Sequence, residues 1–82
     1  MIVKMIDQAG ACKTGTLPST VTPEQIITVL GQPNIKDDPY KVTHSWGFSI
    51  DGESCGIWDY NGHRWSTYGP IDKINTLLGL DT

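Results

Sequence analysis

Two turn dipeptides, Asp51-Gly52 and Asn61-Gly62, constrain this chain more than any other feature. Both central positions of a type I′ turn need positive φ, and Asp-Gly and Asn-Gly supply it at the tip of a two-residue β-hairpin. The stretches on either side alternate apolar residues with small or polar ones, as half-buried strands do. The segment between the two helices described below therefore reads as a three-stranded antiparallel meander, in which loop length sets which residues face each other.

Counting outward from Asp51-Gly52 pairs Phe48 with Cys55, Trp46 with Ile57 and His44 with Asp59. Tyr40, Val42 and Ile50 join that face by alternation, and it is the expected core face. A two-residue loop at Asn61-Gly62 pairs Asp59 with Arg64, Trp58 with Trp65 and Tyr60 with His63. His44, Asp59 and Arg64 then form one row across three strands, with the carboxylate in the middle. The row has two readings. It is an ion-paired register lock that satisfies a partly buried carboxylate, or a His-Asp general base with Arg64 as an anion site. Catalysis needs a nucleophile as well, and Cys55 stands four residues from Asp59, about 13 Å by strand rise. Ser66 is diagonal to Asp59, about 7 to 8 Å away by backbone. The row is therefore expected to be structural, with His44 and Asp59 as the candidate catalytic pair if there is one.

The other face carries Thr43, Ser45, Gly47 and Ser49, then Ser54, Gly56, Trp58 and Tyr60, then His63, Trp65 and Thr67. Glycines and hydroxyls do not line a face that helices cover, so this side is expected to meet solvent or a partner. Trp58, Tyr60, His63 and Trp65 would form a flat aromatic patch suited to a planar ligand or to a subunit interface. Arg64 could swing out of its row to meet an anionic group there. A competing reading makes Trp58 and Trp65 a cross-strand pair that only stabilises a small sheet.

Helices flank the meander. In "VTPEQIITVLGQP", Thr22 is the N-cap, Pro23 the first helical residue, and Gln25 closes a capping box. Val21 can staple onto Ile26, while Ile26, Ile27, Val29 and Leu30 supply an apolar stripe. Gly31 takes the left-handed position after the helix, and Pro33 stops it. "GPIDKINTLLGL" repeats the logic, with Ile71, Ile74, Leu77 and Leu78 on one face and Gly79-Leu80 placed for a Schellman motif. Residues 2–6 read as an N-terminal strand, and "DQAGACKTGTLPST" after them as a long loop that lies over the core through Leu17 or acts as a flap. The expected fold is α+β: an antiparallel sheet, made of the meander and an N-terminal strand, with two short helices packed on one face.

With 82 residues there is room for one core and one domain, covering 1–82. A composition of 38% hydrophobic and 18% charged residues is that of an ordinary globular chain. A net charge of -3 excludes affinity for a nucleic-acid phosphate backbone, which needs clustered Lys and Arg. No apolar run reaches the roughly 18 residues of a membrane helix, and the opening "MIVKMIDQAG" is too polar for a secretory signal. A cytoplasmic location is the expectation. Cys12 and Cys55 lack metal-ligand spacing and read as reduced thiols or as one bridge. His44 and His63 fall on opposite faces, so no metal site is expected. Gly10, Gly15 and Gly31 do not form a phosphate-binding pattern, so no cofactor is expected either.

The residues "LGQP", "YKVTHSWGF", "GIWDYNG" and "STYGP" together resemble a pattern in small bacteriophage-encoded proteins, over 21–78. "TPEQIITVLGQP" by itself resembles the helix that precedes a sheet in outer-membrane assembly lipoproteins, through its capping residues, and no function is carried across from it. The phage resemblance implies a small accessory protein in the host cytoplasm that sequesters a signalling molecule or blocks a host enzyme. With the residues, it favours a non-enzymatic binding protein whose aromatic sheet face engages a planar, nucleotide-like molecule, a host protein or another copy of the chain. The alternatives are an oligomeric structural module without a ligand, and a small hydrolase-like enzyme using His44 and Asp59.

Overall fold

A computed structural model describes residues 1–6, 13–35, 42–60 and 64–80, with the backbone alone for Val42, Thr43, Tyr60 and Arg64. The strands are β1 (Val3–Met5), β2 (Gly15–Thr16), β3 (Val42–Ile50), β4 (Glu53–Tyr60) and β5 (Arg64–Tyr68), and the helices are α1 (Pro23–Leu30) and α2 (Ile71–Leu77). They form one antiparallel sheet in the order β1-β3-β4-β5-β2. The α+β class, the meander, the N-terminal strand and the two helices agree with the sequence reading. The second edge strand was not foreseen. It lies inside the segment read as a loop, where Thr14 N–H and Leu17 N–H donate to the Thr67 and Trp65 carbonyls.

Local chemistry explains the first hairpin, both ends of α1 and the end of α2. Asp51 (φ 51°) and Gly52 (φ 86°) both adopt the positive φ of a two-residue turn, closing β3 and β4 at the Ile50–Glu53 pair. The Asp51 carboxylate also accepts from Ile2 N–H at 2.7 Å, which ties β1 to this hairpin. At α1 the Thr22 hydroxyl accepts from Gln25 N–H and the Gln25 side chain accepts from Thr22 N–H, a complete capping box. Gly31 follows with φ 84°. The last turn of α2 closes as a Schellman motif: Leu80 N–H donates to Asn75 O and Gly79 N–H to Thr76 O.

Both helices bury their apolar residues against the same sheet face. Ile26 and Leu30 from α1, and Ile74 with the adjoining Leu78 from α2, join Trp46, Phe48, Ile50, Cys55 and Ile57 in one cluster. Val29, expected in the stripe, is 40% exposed; eight helical residues present only two positions, 26 and 30, squarely to the sheet. Gly69 (φ 103°) sits where a Cβ would come within 2.6 Å of the Ser54 carbonyl oxygen, so the chain can pass β4 there only as glycine.

The meander departs from expectation at its second hairpin. Asp59 pairs with Trp65 and Tyr60 with Arg64, so three residues, 61–63, connect β4 to β5. The added residue slides β5 by one and exchanges its faces. Trp65 and Thr67 join the core face, while Ser66 and Tyr68 take the other. The physical reason lies in what each register buries. The two-residue loop would set Arg64 and Ser66 under the helices, whereas the observed register buries the Trp65 indole. Asn61, Gly62 and His63 lie outside the described residues, as do Tyr40 and Cys12.

One defect remains in this core. The Thr67 hydroxyl is fully buried with no hydrogen-bond partner among the described residues, and an orphaned buried hydroxyl costs about 1 to 3 kcal/mol. Thr67→Val keeps the shape and removes the orphan. It should stabilise the protein by about 1 kcal/mol, a rise in Tm of about 4 to 8 °C readable by thermal melting.

Candidate functional site

His44 and Asp59 meet as the sequence indicated, by a route it did not disclose. The β3–β4 ladder changes register between Val42 and Ser45. A β-bulge there takes His44 N–H off the ladder, and the Asp59 carboxylate takes the ladder's place. One carboxylate oxygen accepts from His44 N–H at 2.6 Å, and the other lies 3.1 Å from His44 Nδ1. A carboxylate partner calls for a proton on Nδ1, which fixes the orientation of the ring. The Asp59 side chain is 7% exposed and that of His44 is 28% exposed.

The surroundings make this a rigid corner. The His44 ring stacks on Trp46 at 5.8 Å with an 8° interplanar angle, and Trp65 tilts against both rings. The two indoles also hold the ends of α1. Trp65 Nε1 donates to Val21 O just before the helix, and Trp46 Nε1 donates to Gly31 O just after it, each at 2.8 Å. A buried Trp needs a partner for its N–H, and here both partners are carbonyls at helix ends. This clamp went unread in the sequence. Its available signal was two tryptophans, on strands that flank β4, beside a helix about two turns long.

Arg64 is not in the row. Its backbone pairs with Tyr60, and Trp65 occupies the place beside Asp59 that was expected for Arg64. No nucleophile accompanies the pair among the described residues. Ser66 is opposite Trp58, on the far side of the sheet. Cys55 is a free thiol buried under the helices, and burial pushes its pKa up, away from the reactive thiolate. The pair closes a bulge and orients an imidazole, and among the described residues no nucleophile stands beside that imidazole.

Comparison of the chain with family models, with curated proteins and with solved structures gives no match.

The sheet face opposite the helices differs from the one inferred. Trp58 is there, half-buried, between Ser45 and Ser66, and the adjacent row is Gly47, Gly56 and the half-buried Tyr68. The Trp58–Trp65 pair does not exist, because Trp65 is a core residue, 6% exposed. The flat patch of Trp58, Tyr60, His63 and Trp65 is thereby corrected: Trp58 remains, Tyr68 enters, and His63 lies outside the described residues. Ser45, Gly47, Gly56 and Ser66 are buried on this side. Among the described residues, Trp58, Tyr68, Ser49, Ser54, the exposed Thr16 of β2 and the exposed Lys4 of β1 reach its surface. Trp58 and Tyr68 are diagonal neighbours, about 7 to 8 Å apart by backbone. In strand alternation the positions of Tyr60 and Arg64 belong to the same side. Among the described residues no helix is long and apolar enough to cross a membrane, and no three His, Cys, Asp or Glu side chains converge as metal ligands.

Proposed function

We propose that this chain is a non-enzymatic binding protein acting through the sheet face opposite its helices, around Trp58 and Tyr68. One observation carries the reading: both helices pack on one side of the sheet, and two half-buried aromatic side chains stand as diagonal neighbours on the other. Aromatic rings beside glycines and hydroxyls suit stacking on a planar molecule, with serine hydroxyls able to hydrogen-bond its edge. The Arg64 position on that side suits an anionic substituent, which makes a nucleotide-like ligand the first class to consider and a host protein surface the second. The resemblance to bacteriophage-encoded proteins extends the reading to an accessory protein that withholds a host molecule. The hydrolase alternative has an oriented histidine, with no nucleophile beside it among the described residues.

The test is native mass spectrometry of the protein isolated from its source cells, with the parent chain beside the Trp58→Ser, Tyr68→Ser double variant. The parent is expected to carry an added small-molecule or protein mass, and the variant to lose it with its circular dichroism unchanged. A variant that keeps the same added mass would place the binding elsewhere. If His44→Ala removed a catalytic activity that the double variant keeps, the enzyme alternative would take over.

A further inference from the structure

Among the described residues, three of the four large apolar side chains that stand exposed, Met1 (59%), Ile2 (65%) and Met5 (40%), belong to one edge of the sheet. That edge is β1, the outermost strand, bonded to β3 on its inner side. Asp51 N–H donates to Ile2 O at 2.7 Å, and Ile6 N–H donates to Gly47 O at 3.0 Å. In an antiparallel ladder the residues between alternate, so Lys4 also turns its backbone toward β3, while Val3 and Met5 turn theirs outward. No described residue pairs with those outward groups. The open stretch ends at Ile6, where the Asn34 carboxamide wedges between the strands. Its oxygen accepts from Gly47 N–H, and its nitrogen donates to the carbonyls of Gly47 and Ile6.

Edge strands are ordinarily guarded by charge, proline or a covering element. This one has a single charged side chain, Lys4, among apolar neighbours, with the α-ammonium of Met1 at its end. We propose that the outer edge of β1 is a homodimer interface, in which β1 pairs antiparallel with β1 of a second copy about a twofold axis at Val3. Charge selects that register. With Val3 on the axis, Met1 lies opposite Met5 of the other copy and Ile2 opposite its Lys4, so the apolar side chains are covered and the lysines stand apart. Shifting by one residue on each copy sets Lys4 directly across from its equivalent, in the closely spaced kind of pair, where like charges repel. The chosen register pairs Val3 and Met5 through their outward groups and continues the sheet from one copy into the other. The arrangement is isologous, which lets the assembly stop at two. It uses neither Trp58 nor Tyr68 and stands apart from the binding face.

Sedimentation equilibrium over a concentration series, with circular dichroism as the control for folding, tests this. The parent should approach twice the 9.0 kDa chain mass. Val3→Pro removes an outward N–H that β3 does not use, and it should weaken the dimer about a hundredfold, two such bonds being lost across the axis. Met5→Lys brings an ammonium against Met1 of the second copy and its α-ammonium, and should act in the same direction. The Trp58→Ser, Tyr68→Ser variant should dimerise like the parent. A parent that stays at the chain mass at every concentration overturns the proposal. So does Met5→Lys dimerising as tightly as the parent, whether or not Val3→Pro folds.

Discussion

Trp65→Ala is expected to destabilise the protein by about 3 to 5 kcal/mol, whereas Trp58→Ala costs about 1 kcal/mol or less. The two tryptophans differ in what they touch. Trp65 is buried among Trp46, His44 and the start of α1, and its indole N–H satisfies the Val21 carbonyl. Alanine leaves a cavity of indole size, an unpaired carbonyl and a helix that has lost one of its two end anchors. A domain of this length has about 4 to 12 kcal/mol in total, so the variant should be marginal or unfolded at room temperature. Trp58 is half-buried on the helix-free face and anchors no helix end. Urea titration of both variants reads the contrast, and similar losses at the two sites would contradict the assignment of faces.

Asp59→Ala should be the next most damaging change, by about 2 to 4 kcal/mol, since a hydrogen bond to a charged group contributes about 1.5 to 3. The carboxylate satisfies His44 N–H at 2.6 Å where the bulge has removed the ladder partner, and it also fixes the imidazole. Alanine strands that N–H. Asn keeps an acceptor for it, so Asp59→Asn should lose about half as much, and His44→Ala, which keeps its own N–H bonded, should lose less than Asp59→Ala. Thermal melts of the three variants give the order. If His44→Ala proved the most damaging of them, the ring contacts rather than the carboxylate would be holding this corner.

Much of the fold was legible because its boundaries are written in short local signals. Thr22 with Gln25, Gly31, Asp51-Gly52 and Gly79-Leu80 each form the structure that their chemistry favours, and each needs only neighbours within a few residues. The first hairpin followed from its turn, so the facings of Phe48 with Cys55 and Trp46 with Ile57 were right. The second hairpin was misread because an Asn-Gly pair permits loops of more than one length. One extra residue was enough to send Trp65 inward and Ser66 outward. The deciding fact was non-local: "RWSTY" can bury Arg64, Ser66 and Tyr68 or bury Trp65 and Thr67, and only the second set fits beneath two helices.

The candidate site was legible only in part, for related reasons. His44 and Asp59 were paired correctly, since they depend on the well-determined first hairpin. The bulge that binds them, the wedge of Asn34 between β1 and β3, and the two indole bonds to the ends of α1 are all long-range, and no spacing in the chain announces them. Strand β2 is two residues long and lies in a segment rich in Gly, Thr and Ser. Its pairing with β5 rests on backbone bonds rather than on any apolar pattern.

The exchange of faces at β5 is the claim on which the candidate site depends, and cross-strand proton contacts in a nuclear Overhauser spectrum test it most directly. Because the Trp65 and Thr67 carbonyls accept from the side of β2, their pairs with β4 are of the closely spaced kind, with Cα atoms about 4.5 Å apart. Strong Hα–Hα contacts are therefore predicted between Asp59 and Trp65 and between Ile57 and Thr67. An Hα–Hα contact between Asp59 and Arg64 instead would restore the two-residue loop, return Trp65 to the outer face, and contradict the account given for both faces of the sheet.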